Sequence, residues 1–279
     1  MKFTEIAYEK RGEVAIIRFN RPKVRNCIGV TTHKELVEAW TQFRDDTSLK
    51  VAIITGTGDK AFCAGGDLEV REGEGLMPTS ESGLAAHERG EAPGLLGPSR
   101  WTDIYKPIIA AVNGVAYAGG LEWACFADIR IVEEHASFGV TCRRWNIGLG
   151  DGGTQRLPRI VGLGWAMELI ITGRVIDASE ALRIGLANEV VPKGQSLERA
   201  MELAESICGL PQPAIRTDKE AVIRGFNVPL AEGMRIEAQC LHKSIKDPLT
   251  QEGLRRFRER DHPDRGGAET QQTPGIVRD

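Results

Sequence analysis

Two short turns rich in glycine and alanine constrain this chain most, because each directly follows an apolar, strand-like run. The first turn is FCAGGD at 62–67, after the run VAIITG, and the second lies within NGVAYAGGLE at 113–122, after the run PIIAAV. Small residues allow two backbone N–H groups to approach one ligand oxygen without a Cβ in the way. The pair therefore predicts an oxyanion hole, a site for acyl chemistry. Glu122 lies one helical turn beyond Gly119, on the same helical face.

Composition excludes several other function classes. The net charge of −3 over 279 residues gives no overall electrostatic reason to expect a nucleic acid partner. The N-terminus lacks an apolar signal region and no apolar run approaches ~18 residues, so we expect a cytoplasmic protein without a membrane partner. The six cysteines and five histidines show no C-x-x-C or H-x-x-x-H spacing, which predicts no metal site. No G-x-G-x-x-G follows a strand and opens a helix, which argues against a nicotinamide oxidoreductase.

Hydrophobic periodicity divides the chain into three parts. Residues 1–195 alternate strand-like and helix-like segments, which predicts an α/β core, although 68–98 is charged and interrupted by glycine and proline and is expected to be mobile. Residues 196–260 predict four helices that oligomerise, and 261–279 form a polar tail. The predicted strands are 13–19, 50–54, 108–112 and 128–132, and the predicted helices are 32–44, 120–127, 165–172, 178–185, 197–208, 214–225, 230–244 and 248–259.

Further motifs follow one another in a characteristic order along nearly the whole chain. Together with the second turn, they are NRPK at 20–23, KAFCAGGD at 60–67, GGTQRLPR at 152–159, ITGR at 171–174, the segment 181–192, and EGL at 252–254. In this order and spacing they resemble the enoyl-CoA hydratase/isomerase, or crotonase, superfamily. The resemblance implies a crotonase-like (ClpP/crotonase) α/β spiral of ββα units with a C-terminal helical trimerisation region. It also implies an acyl-CoA substrate, no cofactor beyond the CoA of that substrate, and a homotrimer or dimer of trimers.

The resemblance also implies roles for individual residues. The N–H groups of Ala64 and Gly119 would hold the thioester oxygen while an enolate develops, and Glu122 would be one of two carboxylates that activate water and move protons. A carboxylate among apolar neighbours is expected to be a stronger base, because burial disfavours its charged form. The residues expected to contact the CoA moiety are Val24, Arg25, Ala61, Ala64, Gly65, Gly66, Asp67 and Gly119.

The sequence departs from the hydratase pattern at the second glutamate, whose position falls on Cys142. A neutral thiol is a poor general acid, so Cys142 is either a participating group or a packed thiol. Asp151, in the turn GDGG, is the candidate replacement carboxylate, with helix capping or an Asx turn as its alternative role. Arg143 and Arg144 would either pair with one of the carboxylates, steer an acidic acyl group, or form a structural ion pair.

These observations predict an enzyme that stabilises a thioester enolate and hydrates a 2-enoyl-CoA to a 3-hydroxyacyl-CoA. The missing second glutamate keeps two catalytic alternatives open, an enoyl-CoA isomerase and a hydrolase of a cyclic keto-acyl-CoA. A non-catalytic acyl-CoA-binding protein with the same fold is a third alternative. The presence of Glu122 argues against it, because binding alone does not require a carboxyl group beside the oxyanion hole.

Overall fold

The computed structural model describes residues 3–69, 81–91 and 93–259. Contacts divide the chain into two compact units: the first comprises Met1–Trp101 and Ile108–Ala204, and the second comprises Thr102–Pro107 and Glu205–Asp279. The boundary predicted after residue 195 remains a prediction, as does the expected mobility of 68–98. Part of that segment, and all of the predicted tail 261–279, lies outside the described residues.

The first unit contains two sheets. Its strands are β1 Ile6–Arg11, β2 Val14–Phe19, β3 Val51–Gly56, β4 Ala61–Cys63, β5 Ile108–Val112, β6 Val115–Tyr117, β7 Ile129–Glu133, β8 Ser137–Gly139, β9 Val175–Asp177 and β10 Glu189–Val191. One sheet has the order β1-β2-β3-β5-β7-β10 and is parallel except for the β1–β2 hairpin. The other has the order β4-β6-β8-β9 and is parallel except for β9. Every residue of β3 and β5 is buried, as expected for parallel strands covered on both faces.

Helices occur in both units. They are α1 Val30–Asp45, α2 Glu81–Glu88, α3 Gly119–Phe126, α4 Gly153–Val161, α5 Leu163–Thr172, α6 Ala178–Arg183, α7 Ser196–Cys208, α8 Gln212–Gly225, α9 Leu230–Ile245 and α10 Pro248–Glu259. The periodicity predicted the longer helices to within a few residues of their ends but did not predict α4. That helix contains Pro158, which locally removes a hydrogen-bond donor and masks the helical pattern.

A cluster of aromatic side chains forms the core beneath α3. Trp40 stacks on Trp123 at a centroid distance of 5.7 Å, and Phe126 meets both rings edge-on. Every residue of α3 is buried, including Glu122. The fold therefore places a carboxyl group in apolar surroundings at the first turn of a buried helix.

The second unit contains two helices, α8 and α9, that pack against each other and are joined by a short connection. Glu220 of α8 accepts hydrogen bonds from Lys243 of α9 at 2.6 and 2.7 Å and from Arg224 at 2.7 Å. Several apolar side chains of this pair are nevertheless exposed, among them Val222 and Leu230. This pair of helices therefore combines a cluster of ion pairs around Glu220 with exposed apolar side chains.

Candidate active site

The two glycine-rich turns leave neighbouring strands and meet. β4 and β6 pair in parallel, with Cys63 opposite Ala116, so the chain leaves both strands at the same edge of the sheet. A Cβ on Gly65 would lie 3.0 Å from the Gly119 nitrogen, and a Cβ on Gly120 would lie 1.8 Å from the Cys63 carbonyl oxygen. Glycine is therefore required where the two backbones touch, as the sequence predicted.

The backbone N–H donors available where the two turns meet differ from the predicted pair. The Ala64 N–H donates to the Arg25 carbonyl oxygen at 3.0 Å, so the prediction that it is an oxyanion donor is wrong. The N–H groups of Gly66 and Gly119 donate to no group within the described residues, and both glycines line the same cavity. Gly119 is also the first residue of α3, where N–H groups have no partner within the helix. Gly66 replaces Ala64 as the candidate second donor.

Glu122 lines this cavity, and its two carboxyl oxygens differ in their hydrogen bonds. Its Oε1 accepts the N–H groups of Asp151 and Gly153, each at 2.8 Å. Its Oε2 accepts no hydrogen bond within the described residues, and the side chain lines the cavity although the residue is 2% exposed. Burial, and next the charge of Asp151, raise the pKa of Glu122 to about 7, against the opposing effect of the two N–H donors and Arg156. Glu122 therefore exchanges its proton near neutral pH, with both the protonated and the ionised form populated.

Asp151 lies beside Glu122 on the same cavity and is 2% exposed. Its Oδ1 accepts three hydrogen bonds, from Ser99 Oγ at 2.5 Å and from the N–H groups of Leu95 and Leu96 at 2.8 and 3.2 Å. Its Oδ2 accepts none within the described residues. The alternative role as a helix cap does not apply, because the cap of α4 is Gly152 and no side chain bonds there. Three donors on one oxygen fix the orientation of the carboxyl group.

Cys142 lies in the 3₁₀ turn Thr141–Trp145 and lines the cavity with the two carboxyl groups. Burial raises the pKa of the thiol, although neighbouring Arg143 acts in the opposite direction. Arg143 itself donates to the Ile170 carbonyl oxygen at 3.1 Å. Its guanidinium is therefore engaged by α5 and is bonded to neither cavity carboxyl group, and Cys142 is a protonated thiol at neutral pH.

Arg156 of α4 is the arginine that approaches the carboxyl groups, and the sequence analysis did not single it out. It donates to the Asp151 carbonyl oxygen at 3.3 Å, and its charge lowers the pKa of Glu122. Leu95, Leu96 and Ser99 were also missed. They lie in a glycine- and proline-rich segment without periodicity, where no sequence signal indicates a contact to a residue more than fifty positions away.

The residues predicted to contact CoA lie on or next to the first turn. Val24 and Arg25 are exposed and end a 3₁₀ turn whose Arg25 carbonyl oxygen is bonded to Ala64. Ala61 is buried and its carbonyl oxygen accepts the Asn26 side chain at 2.8 Å. Of the remaining residues in this set, Ala64, Gly66, Asp67 and Gly119 line the cavity. Asp67 also pairs with Arg21 at 2.8 Å.

The cavity has a volume of about 290 Å³. Its polar lining residues include Glu122, Asp151, Gly66 and Gly119. Its lining also includes the apolar residues Leu68, Leu95, Leu96, Trp145, Ile147 and Leu149. Such a mixture of an apolar wall and a few convergent polar groups is typical of a small-molecule site.

Two further properties concern the described part of the chain. Within residues 3–69, 81–91 and 93–259, no three His, Cys, Asp or Glu side chains are grouped so as to hold a metal ion. No helix in these ranges is both long and apolar enough to cross a bilayer.

Comparisons with known proteins agree with this geometry. The family model for enoyl-CoA hydratase/isomerase matches residues 9–267. A crotonyl-CoA hydratase from Syntrophomonas wolfei is 37% identical over 263 residues, covering 93% of this chain and 97% of the relative. A short-chain-enoyl-CoA hydratase from Clostridium acetobutylicum is 37% identical over 259 residues, covering 90% of this chain and 95% of the relative.

A solved structure gives the same result for the fold. The enoyl-CoA hydratase from Bacillus anthracis superposes with a TM-score of 0.80 at 37% identity, covering 92% of this chain and 96% of that chain. The α/β architecture described above is thus the crotonase fold. The chain belongs to the enoyl-CoA hydratase/isomerase family.

Proposed function

We propose that this protein adds water across the C2–C3 double bond of a 2-enoyl-CoA and forms a 3-hydroxyacyl-CoA. One observation carries the proposal: Glu122, Asp151, Gly66 and Gly119 line one cavity. Within the described residues, each of the two carboxyl groups has one oxygen that accepts no hydrogen bond, and the two glycine N–H groups donate none. The names of the similar relatives, crotonyl-CoA hydratase and short-chain-enoyl-CoA hydratase, favour the same reaction.

The N–H groups of Gly66 and Gly119 bind the thioester oxygen in this proposal. Their hydrogen bonds strengthen as negative charge develops on that oxygen, because water attack at C3 converts the thioester into an enolate. Each preorganised donor of this kind lowers a barrier by about 3–4 kcal/mol. Neither N–H group has to break a bond to a described residue first.

The two carboxyl groups divide the proton transfers. Asp151, whose Oδ1 is fixed by three donors, removes a proton from the water whose oxygen bonds to C3. Glu122, with its pKa raised to about 7 by burial and by the Asp151 charge, gives its proton to C2 as the enolate collapses. The added proton then passes from Asp151 back to Glu122, which restores the starting state. Cys142 takes no part in this scheme.

Substrate binding follows from the residues next to the first turn. The adenosine-phosphate end of CoA is placed against the backbone at Val24 and Arg25, with the Arg25 guanidinium meeting a phosphate. The exposure of both residues supports this placement. The reaction needs no cofactor beyond the CoA of the substrate, so dialysis against a chelator should leave the activity unchanged.

A homotrimer, or a dimer of trimers, is proposed for the second unit. The groove between α8 and α9 exposes Val222, Phe226, Leu230 and Met234, which are 65%, 54%, 81% and 55% exposed, and apolar faces of this kind favour association. Light scattering after size exclusion measures the state directly. The six free cysteines suit a reducing compartment and support a cytoplasmic location, which cell fractionation tests.

Hydration of crotonyl-CoA by the purified protein tests the proposal, followed as loss of the conjugated thioester absorbance and confirmed by the mass of the product. Glu122→Gln and Asp151→Asn keep the size and the acceptor oxygen of each side chain, and each should lower kcat by about 10²–10⁴-fold. Glu168→Gln is the matched control. Glu168 lies on α5, is exposed and pairs with Arg174, so this substitution should leave kcat unchanged.

The products also separate the alternatives. Movement of the double bond without uptake of water would indicate an isomerase, and cleavage of a cyclic keto-acyl-CoA would indicate a hydrolase. Tight binding of acyl-CoA without exchange of its α-protons would indicate a binding protein. Any of these outcomes, with no hydration at any chain length, would refute the proposed reaction.

A further inference from the structure

A strap formed by residues 93–101 runs alongside the cavity within the first unit. Its Leu96 carbonyl oxygen accepts the indole N–H of Trp123, in α3, at 2.9 Å. Its Gly97 N–H donates to His33 Nδ1, in α1, at 2.9 Å. The strap is thus tied to two helices at the point where it passes the carboxyl groups.

The strap reaches Asp151 with three donors, all directed to the same oxygen. Ser99 Oγ lies 2.5 Å from Oδ1, and the N–H groups of Leu95 and Leu96 lie 2.8 and 3.2 Å from it. The carbonyl oxygen of Ser99 accepts Arg156 Nη1 at 2.5 Å. The serine is therefore held on its backbone side while its hydroxyl holds the carboxyl group.

The packing around Ser99 is tight. Ser99 is 0% exposed, and a Cβ on Gly94 would lie 2.6 Å from Asp151 Oδ1 and 2.8 Å from Ser99 Oγ. Gly94 has a φ of 146°, which L side chains rarely adopt. The close approach of the strap to Asp151 therefore depends on glycine at position 94.

We propose that Ser99 is a positioning residue: its hydroxyl fixes Oδ1 of Asp151 so that Oδ2 faces the cavity as the acceptor of the water proton. This inference rests on the proposed function, in which Asp151 is the base. Ser99 itself lies outside the set of residues that line the cavity, and so acts through Asp151 alone.

Three other titratable groups lie near the same carboxyl group and set its surroundings. They are Glu122 from α3, Arg156 from α4 and His33 from α1. Burial lowers the pKa of His33, which keeps that ring neutral, and Arg156 contributes the positive charge. The Ser99 hydroxyl differs from all three because it bonds directly to the oxygen opposite the reacting one.

Removal of the hydroxyl leaves Oδ1 with two donors and a gap on the side of Ser99. The carboxyl group then turns more freely, and Oδ2 is less often directed at the attacking water. Ser99→Ala should lower kcat by about 10–100-fold, the range expected for a hydrogen bond to a charged group, with KM within twofold of wild type.

The experiment measures kcat, KM and the pH–rate profile of crotonyl-CoA hydration for Ser99→Ala, Ser99→Thr, Asp151→Asn and the double variant Ser99→Ala/Asp151→Asn. The matched control is Ser196→Ala. Ser196 is 1% exposed and its hydroxyl donates to buried Glu133 at 2.7 Å, so this variant breaks an equivalent bond away from the cavity.

The inference predicts that Ser99→Thr regains most of the lost kcat, that Ser99→Ala has no further effect once Asp151 is asparagine, and that Ser196→Ala alters stability alone. It is overturned if Ser99→Ala stays within twofold of wild type in kcat, if the two losses multiply in the double variant, or if Ser196→Ala lowers kcat equally.

Failure of the proposed function is recognised separately, because the wild type would then hydrate no enoyl-CoA. In that case crystal structures of Ser99→Ala and Ser99→Thr are compared with that of the wild type, because the orientation of the Asp151 carboxyl group does not depend on which reaction is catalysed. A carboxyl group that turns in Ser99→Ala and returns to its original orientation in Ser99→Thr supports the inference. An unchanged orientation in Ser99→Ala overturns it.

Discussion

Replacement of Glu122 by glutamine should stabilise the folded protein at alkaline pH while it removes activity. The side chain is 2% exposed among apolar neighbours, yet its Oε1 accepts the N–H groups of Asp151 and Gly153 at 2.8 Å. A glutamine oxygen can accept the same two bonds and carries no charge to bury. The variant thus isolates the electrostatic cost of the carboxylate from its packing.

The magnitude follows from the shift in pKa. Burial and the Asp151 charge raise the pKa of Glu122 from 4.5 to about 7. A pKa raised by folding contributes stability that is fully present below the unfolded value and is lost as pH rises through the folded value. The difference between these two pKa values corresponds to a change in the free energy of unfolding of about 3 kcal/mol. Relative to wild type, Glu122→Gln should therefore gain about 3 kcal/mol between pH 4 and pH 8.5.

Urea unfolding of both proteins at a series of pH values measures this difference. Glu35→Gln is the matched control. Burial opposes ionisation of Glu35, but bonds from Thr4, Glu5 and Ile6 lower its pKa overall. A lowered pKa gives stability above the unfolded value, so Glu35→Gln should instead lose stability, relative to wild type, as pH rises. A difference for Glu122→Gln that does not change with pH, or that has the sign of the control, would refute the reasoning.

Two other predictions concern the pH dependence of kcat and the glycines at which the two turns meet. Because hydration requires one proton on the carboxyl pair, kcat should fall about tenfold per pH unit above about 7, where Glu122 loses that proton; a kcat that rises through pH 7 would contradict the assigned roles. Gly119→Ala should fold but lose activity, since its Cβ would lie 2.0 Å from the movable end of Leu96. Gly120→Ala should be destabilised by about 4 kcal/mol or more, since its Cβ would lie 1.8 Å from the Cys63 carbonyl oxygen; thermal unfolding and kcat of both variants separate the two effects.

Local sequence signals predicted the elements that depend on local geometry. The apolar runs of β3 and β5 and the periodicity of α1 set the burial of these segments, so their positions are readable without a structure. The same reading did not find α4, because Pro158 lies inside it and the neighbouring glycines resemble a loop. Where a tertiary contact overrides a local preference, the sequence pattern does not contain the interaction that decides the structure.

The candidate site shows the same division between local and distant causes. Spacing alone placed Glu122 one helical turn past Gly119, and both line the cavity. The choice between Ala64 and Gly66 as donor required the position of the Arg25 carbonyl oxygen, which no spacing reveals.

By itself, the sequence determined that two glycine turns meet a glutamate at the start of a helix, because glycine's freedom and helical spacing are local properties. Only the tertiary structure decided how these groups are held. The strap that includes Ser99 bonds to Asp151 across a separation of 52 to 56 residues, and burial beneath α3 raises the pKa of Glu122. Hydrogen bonds and desolvation depend on which distant segments pack together, and that is a property of the folded chain.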